Sequence, residues 1–140
     1  MLIGSFVFYP KRGVGQIVDV ENDLYKIKIE DGFIYLPVKN INNIRQLASK
    51  AECRKALKIV IEEVTLPPFG SRWQAEKKYY LDKLDNLIEI AEVLRDLRSR
   101  RGNGCNTINM LYLKAAKMFI DEITKVIRIK ESTLKKKLDI

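Results

Sequence analysis

The sequence has no histidine, two cysteines and a single tryptophan among its 140 residues. Without histidine the commonest general base and the commonest metal ligand are both gone. The carboxylates, lysines and tyrosines that remain are nowhere spaced like a catalytic set. Cys53 and Cys105 stand alone, without the Cys-x-x-Cys spacing of a metal or redox site, and a reducing cytosol keeps such thiols structural or incidental. No apolar run approaches the roughly 18 residues that span a bilayer. The opening MLIGSFVFYPKR lacks the basic n-region and small-residue cleavage site of a signal peptide. A cytoplasmic protein is expected, non-enzymatic, with no cofactor, no metal and no membrane contact.

The apolar and charged fractions, 46% and 31%, are those of an ordinary globular chain. By length it forms one average domain or two small modules of roughly 50 and 90 residues. The charge is uneven. Residues 1–47 hold six Lys/Arg against five Asp/Glu, whereas residues 48–140 hold twenty against thirteen, giving most of the net +8. Such a split points to one module facing nucleic acid or an acidic surface, or to cations that merely solvate helices.

The first part alternates as strands do. SFVFYP is a short run closed by proline, and GQIVDVEN alternates. In LYKIKIED, Tyr25, Ile27 and Ile29 share one face while Lys26, Lys28 and Glu30 share the other. Asp31-Gly32 suits a tight turn, FIYLPV returns, and INNIRQL comes last. About five strands in so few residues close best as a small SH3-like or Tudor-like curled sheet. The pleat sends Ile34, Leu36 and Val38 inward and leaves Phe33 and Tyr35 outward, as a partner surface or under covering loops.

From about residue 48 the period becomes helical. Ser49 is a plausible cap for a helix with Ala51, Ala56, Leu57, Val60 and Ile61 along one stripe. VTLPPFG ends it, and Ser71 with Gln74 forms a capping box for the next, whose inner stripe is Tyr80, Leu81 and Leu84. A third helix carries Leu87, Ile90, Ala91, Leu94 and Leu97 and closes in a cationic last turn. NTINMLYLKAAKMFIDEITKV and STLKKKL supply the last two. The expected fold is α+β, a small β-module followed by a bundle of about five helices, with no internal repeat.

The lone tryptophan lies in FGSRWQAEKKYY, at the exposed first turn of the second helix and among cations. A flat indole there can wedge beside a distorted base step, where unstacking costs a few kcal/mol and stacking returns about 1–3 kcal/mol. Arg72, Lys77 and Lys78 around it can neutralise phosphates. Trp73 as a core or interdomain anchor is the alternative.

Taken in order, VFYPKRGVGQIVDVE, the LP of FIYLPV, the RW of the second helix, LDKL, IAEVLRDL and LYLKAAK resemble the CarD/CdnL family of bacterial transcription regulators over nearly the whole chain. The resemblance implies that residues 1–47 form an RNA polymerase-interacting Tudor-like module, shared with transcription-repair coupling factors, that docks on the lobe of the polymerase β subunit. It implies that residues 48–140 form a helical module on promoter DNA. Trp73 matches the tryptophan that enters the minor groove at the upstream edge of the bubble and stabilises the open complex. Lys78 matches a basic family position and Lys117 aligns with another. Two departures stand out. Ala75 and Glu76 replace basic residues, which weakens phosphate contact, and Tyr35 stands where relatives carry a polymerase-contacting arginine. Lys26, Lys28, Phe33 and Tyr35 are the candidate polymerase contacts. A cytoplasmic monomer, associated with the nucleoid through polymerase, is expected. A stand-alone architectural DNA-binding protein without sequence specificity is the other reading.

Overall fold

In a computed structural model that describes residues 3–10, 12–39, 44–67, 73–101 and 106–140, the alternating N-terminal segments become five strands. They are β1 (Phe6–Tyr9), β2 (Gly13–Glu21), β3 (Leu24–Ile29), β4 (Gly32–Pro37) and β5 (Arg45–Gln46). The strands join in one antiparallel sheet of order β4-β3-β2-β1-β5. Alternation puts Val7, Ile17, Tyr25, Ile27, Leu36 and Ile44 into a shared core, with Tyr9, Ile29 and Val38 against it. Gly15 is required by closeness: a Cβ there would stand 2.7 Å from Ile27 Cγ2 and 3.2 Å from the Lys28 carbonyl oxygen.

Turn chemistry sets the register. Between β2 and β3, Asn22 and Asp23 both take positive φ, +51° and +61°, as a type I′ turn demands, and these residue types tolerate it best after glycine. Between β3 and β4 the outcome differs from the Asp31-Gly32 expectation. Ile29 pairs with Gly32, so the loop is Glu30-Asp31, and Gly32 opens the returning strand at φ +147°, a conformation closed to residues with a Cβ.

The chain divides into two compact units, Met1–Leu47 and Ala48–Ile140. The second contains α1 (Lys50–Val60), α2 (Trp73–Asp82), α3 (Leu87–Arg100), α4 (Asn106–Val126) and α5 (Glu131–Lys137). Ser49 caps α1 in a full capping box: its hydroxyl accepts from Glu52 N, and the Glu52 carboxylate accepts from Ser49 N, both at 3.1 Å. The Ser71 half of the box expected for α2 lies outside the described residues, as does Cys105.

Helix α3 is central, packed on α1 and α4, and buries Leu87, Ile90, Ala91, Val93, Leu94 and Leu97. Its contact with α1 sets which stripe of α1 turns inward: Cys53, Ala56 and Val60 are buried while Ala51 and Ile61 are exposed. The observed stripe is turned by part of a turn from the one expected from Ala51, Leu57 and Ile61, because Cys53 takes a core position, where a free thiol behaves as a small hydrophobe. Burial, with Glu122 and Glu52 nearby, pushes the Cys53 thiol up to about 11. Glu122 itself is fully buried on α4, and its carboxylate accepts from Ala48 N at 2.7 Å.

The end of α5 is held by side chains from α3 and α4. Arg98 donates to the Lys137 carbonyl (3.3 Å), Tyr112 to that of Leu138 (2.5 Å), and Arg101 to that of Asp139 (3.2 Å). These donors satisfy carbonyls that a helix leaves without an internal partner. Arg101 also lies over the Tyr112 ring at 4.3 Å. Burial raises the Tyr112 hydroxyl above its ordinary range, so it remains a donor.

Candidate functional site

Each unit offers one candidate surface. On the sheet unit, β3 and β4 face their neighbours so that Lys26 pairs with Tyr35 and Lys28 with Phe33. All four residues singled out in the sequence therefore share the outer face of one hairpin. Phe33 and Tyr35 are 52% and 59% exposed, too open to be loop-covered core. The Lys26 ammonium lies 4.3 Å from the centre of the Phe33 ring, a diagonal cation–π contact that holds both side chains. Asp19, opposite Lys26 on β2, joins Glu21, Asn22, Leu24, Lys26 and Tyr35 around a shallow cleft of about 240 Å³. The surface is thus aromatic and of mixed charge.

Strand β4 is also an edge of the sheet. Val38 N donates to the Asp23 carbonyl. By the alternation of an antiparallel ladder, Phe33 and Tyr35 then turn their backbone groups to the open side. Pro37 lies on that same edge, where its missing N–H disrupts no ladder bond.

On the helical unit, Trp73 is the first residue of α2. It is partly buried rather than fully exposed, because it falls two turns before Tyr80, which is 4% exposed. The inward stripe of α2 thus runs through the indole. Glu76 and Lys77 are partly buried beside it, whereas Gln74, Ala75 and Lys78 are exposed. Among the described residues no ion pair engages Lys77 or Lys78. Arg72 lies outside the described residues.

Lys117 is not on α2. It stands on α4 beside Asp121 (3.4 Å) and lines a cleft of about 270 Å³ with Leu113, Ile120, Asp121, Glu131, Lys135 and Ile140. Its charge is shared with a carboxylate one turn away, so it offers less to a phosphate than the lysines of α2.

The cationic end of α3 is built into the fold. Arg95 meets Glu62 (3.3 Å) and Asp96 (3.1 Å); Arg98 donates to the Glu62 carbonyl at 3.0 Å. Arg100 reaches Glu76 of α2 at 3.4 Å with its side chain only 8% exposed. The Glu76–Arg100 pair is what sequence reasoning missed. In the sequence Glu76 stands only as an acidic residue in place of a basic one and the end of the third helix only as a cationic last turn, and nothing in the linear order says that they meet.

No helix among the described residues is long and apolar enough to cross a membrane. Residues 2–48 match the CarD-like/TRCF RID domain family, an RNA polymerase-interacting domain. The first unit is therefore a domain of this kind, and the CarD/CdnL resemblance holds over it. No curated protein matches the chain.

Proposed function

We propose that this protein, whose first unit is a CarD-like RNA polymerase-interacting domain, is a non-enzymatic transcription regulator that docks on the polymerase β-subunit lobe and stabilises the open promoter complex. In this reading residues 1–47 dock and residues 48–140 meet promoter DNA. The observation that carries the docking half is the convergence of Lys26, Lys28, Phe33 and Tyr35 on one outer hairpin face. Exposed aromatics give area, and the lysines steer the encounter. The open β4 edge can in addition pair with a strand of the partner.

The DNA-facing half rests on Trp73 at the head of α2, with Lys77 and Lys78 beside it. The indole wedges at the upstream edge of the bubble and reads shape more than sequence, while the lysines and Arg72 hold phosphates. Lys117 plays a secondary part at most. Feeble intrinsic DNA affinity suffices: once the first unit is held on polymerase, the second meets DNA at an effective concentration of order millimolar for a short connection. The protein acts as a monomer in the cytoplasm, at the nucleoid.

Two variants test the halves separately. The triple variant Lys26→Glu, Lys28→Glu, Tyr35→Ala should fail to pull down the β-lobe fragment that the wild type retains. Trp73→Ala should retain that fragment but shorten open-complex lifetime by about 5- to 150-fold, the equivalent of about 1–3 kcal/mol of stacking. Duplex affinity without polymerase, together with no binding of the lobe by the wild type, would instead favour a stand-alone architectural DNA-binding protein.

A further inference from the structure

We infer that Glu76 is a positioning residue: by pairing with the buried guanidinium of Arg100 it fixes the head of α2, and so the angle at which Trp73 is presented. The inference rests on the DNA-facing role proposed for Trp73. Trp73 and Glu76 are about one helical turn apart on α2, so whatever holds Glu76 holds the backbone that carries the indole. The carboxylate oxygen stands 3.4 Å from Arg100 Nη1, and the two side chains are 38% and 8% exposed. A guanidinium so deeply covered is kept only with partners, and removing one of them costs far more than breaking a surface pair.

The placement is doubly favourable. Glu76 sits in the first turn of α2 and Arg100 in the last turn of α3, so each charge also complements the dipole of its own helix. Tyr80, one turn further along α2, is buried and lies within the field of both charges. Trp73 is itself only partly exposed on the same stripe. The head of α2 is thus fixed by an ion pair on its inward edge, where a helix facing phosphates would gain more affinity from a cation.

A charge-only role and a positioning role predict opposite signs. Removing a carboxylate near phosphates strengthens DNA binding if charge alone matters; it weakens the function if Glu76 holds Trp73. The full-length protein with Glu76→Gln should keep its circular dichroism and its retention of the β-lobe fragment. Because Trp73 is the sole tryptophan, its emission reports the head of α2 directly. Iodide quenching should rise about twofold, anisotropy should fall, and open-complex lifetime should shorten several-fold. Pairing Glu76→Arg with Arg100→Glu should restore part of each, incompletely because both charges then oppose their helix dipoles.

Wild-type quenching and anisotropy in Glu76→Gln would overturn the inference, as would a lengthened lifetime. Trp73→Ala, run alongside, separates the failures. If it shortens the lifetime and Glu76→Gln does not, only the positioning role falls. If neither changes the lifetime, the promoter role of Trp73 falls, while the fluorescence arm still decides whether Glu76 orders α2.

Discussion

In the sheet unit, Lys26 and Lys28 stand on an outer face beside exposed aromatics. In the helical unit, Arg95, Arg98, Arg100 and Arg101 are engaged with carboxylates, carbonyls and a tyrosine ring of the same unit. The basic half of the sequence therefore has fewer available cations than its count implies, while the nearly neutral half still presents two lysines on one outer face. Net charge counts side chains, whereas recognition depends on those left to face a partner. Arginine suits the first task, since its planar fork reaches two or three acceptors at once. Lysine, a point charge on a flexible stem, suits a phosphate that arrives later. The arginines of α3 perform the first task, and the proposed role of the α2 lysines is the second.

The largest effect expected from breaking this contrast is on the sheet side. Gly15→Ala places a methyl 2.7 Å from Ile27 Cγ2, with the Lys28 carbonyl close behind. The sheet must then shift, at a cost of about 1–3 kcal/mol. Chemical denaturation followed by far-ultraviolet circular dichroism should register the loss, and the β-lobe fragment should be retained less well. Trp73 emission should stay at its wild-type value; a change there would contradict the assignment of docking and DNA contact to separate units.

Arg101→Ala comes next. It removes the donor to the Asp139 carbonyl, a bond to Asn109 (3.0 Å) and the cation over Tyr112. Hydrogen bonds from charged groups contribute about 1.5–3 kcal/mol when well formed. These are partly exposed, so about 1–2 kcal/mol of stability is expected to go, read as a lower melting temperature. The salt dependence of DNA binding should stay as it is, because this cation is engaged within the fold. A shallower salt slope would show that Arg101 meets phosphate after all.

Much of this architecture is legible in the sequence, for reasons that differ by element. Alternation in LYKIKI and the apolar period of LIEIAEVLRDL are local signals, and both elements form with the faces expected. Ser49 as a cap is legible because the capping box is local as well. Elsewhere the deciding partner is remote. The inward stripe of α1 depends on α3. Trp73 is partly buried because its own helix turns inward, a feature that the neighbouring cations in the sequence do not signal. At the site, the hairpin face follows from strand register, and a period of two suffices to find it. Glu76 with Arg100 joins residues 24 positions apart in the chain; only the fold reveals that this carboxylate meets a deeply covered guanidinium.

The smallest effect on stability, and the sharpest test of the contrast, belongs to Lys77 and Lys78. Neither is engaged in an ion pair among the described residues. Lys78 is exposed and Lys77 partly so, hence replacing both with alanine should leave the melting temperature nearly unchanged. Affinity for bubble-containing promoter DNA should still fall, and the slope of log affinity against log salt should become shallower by about one for each lysine, because each phosphate neutralised releases about one counterion. The effect should be uniform across sequences, since a phosphate contact carries no base information. Arg101→Ala and the double lysine variant thus form a crossed pair, one moving stability without the salt slope and the other the salt slope without stability. If both variants moved both quantities, the division between structural arginines and available lysines would fail, and the cations of the helical unit would have to be treated as one continuous field.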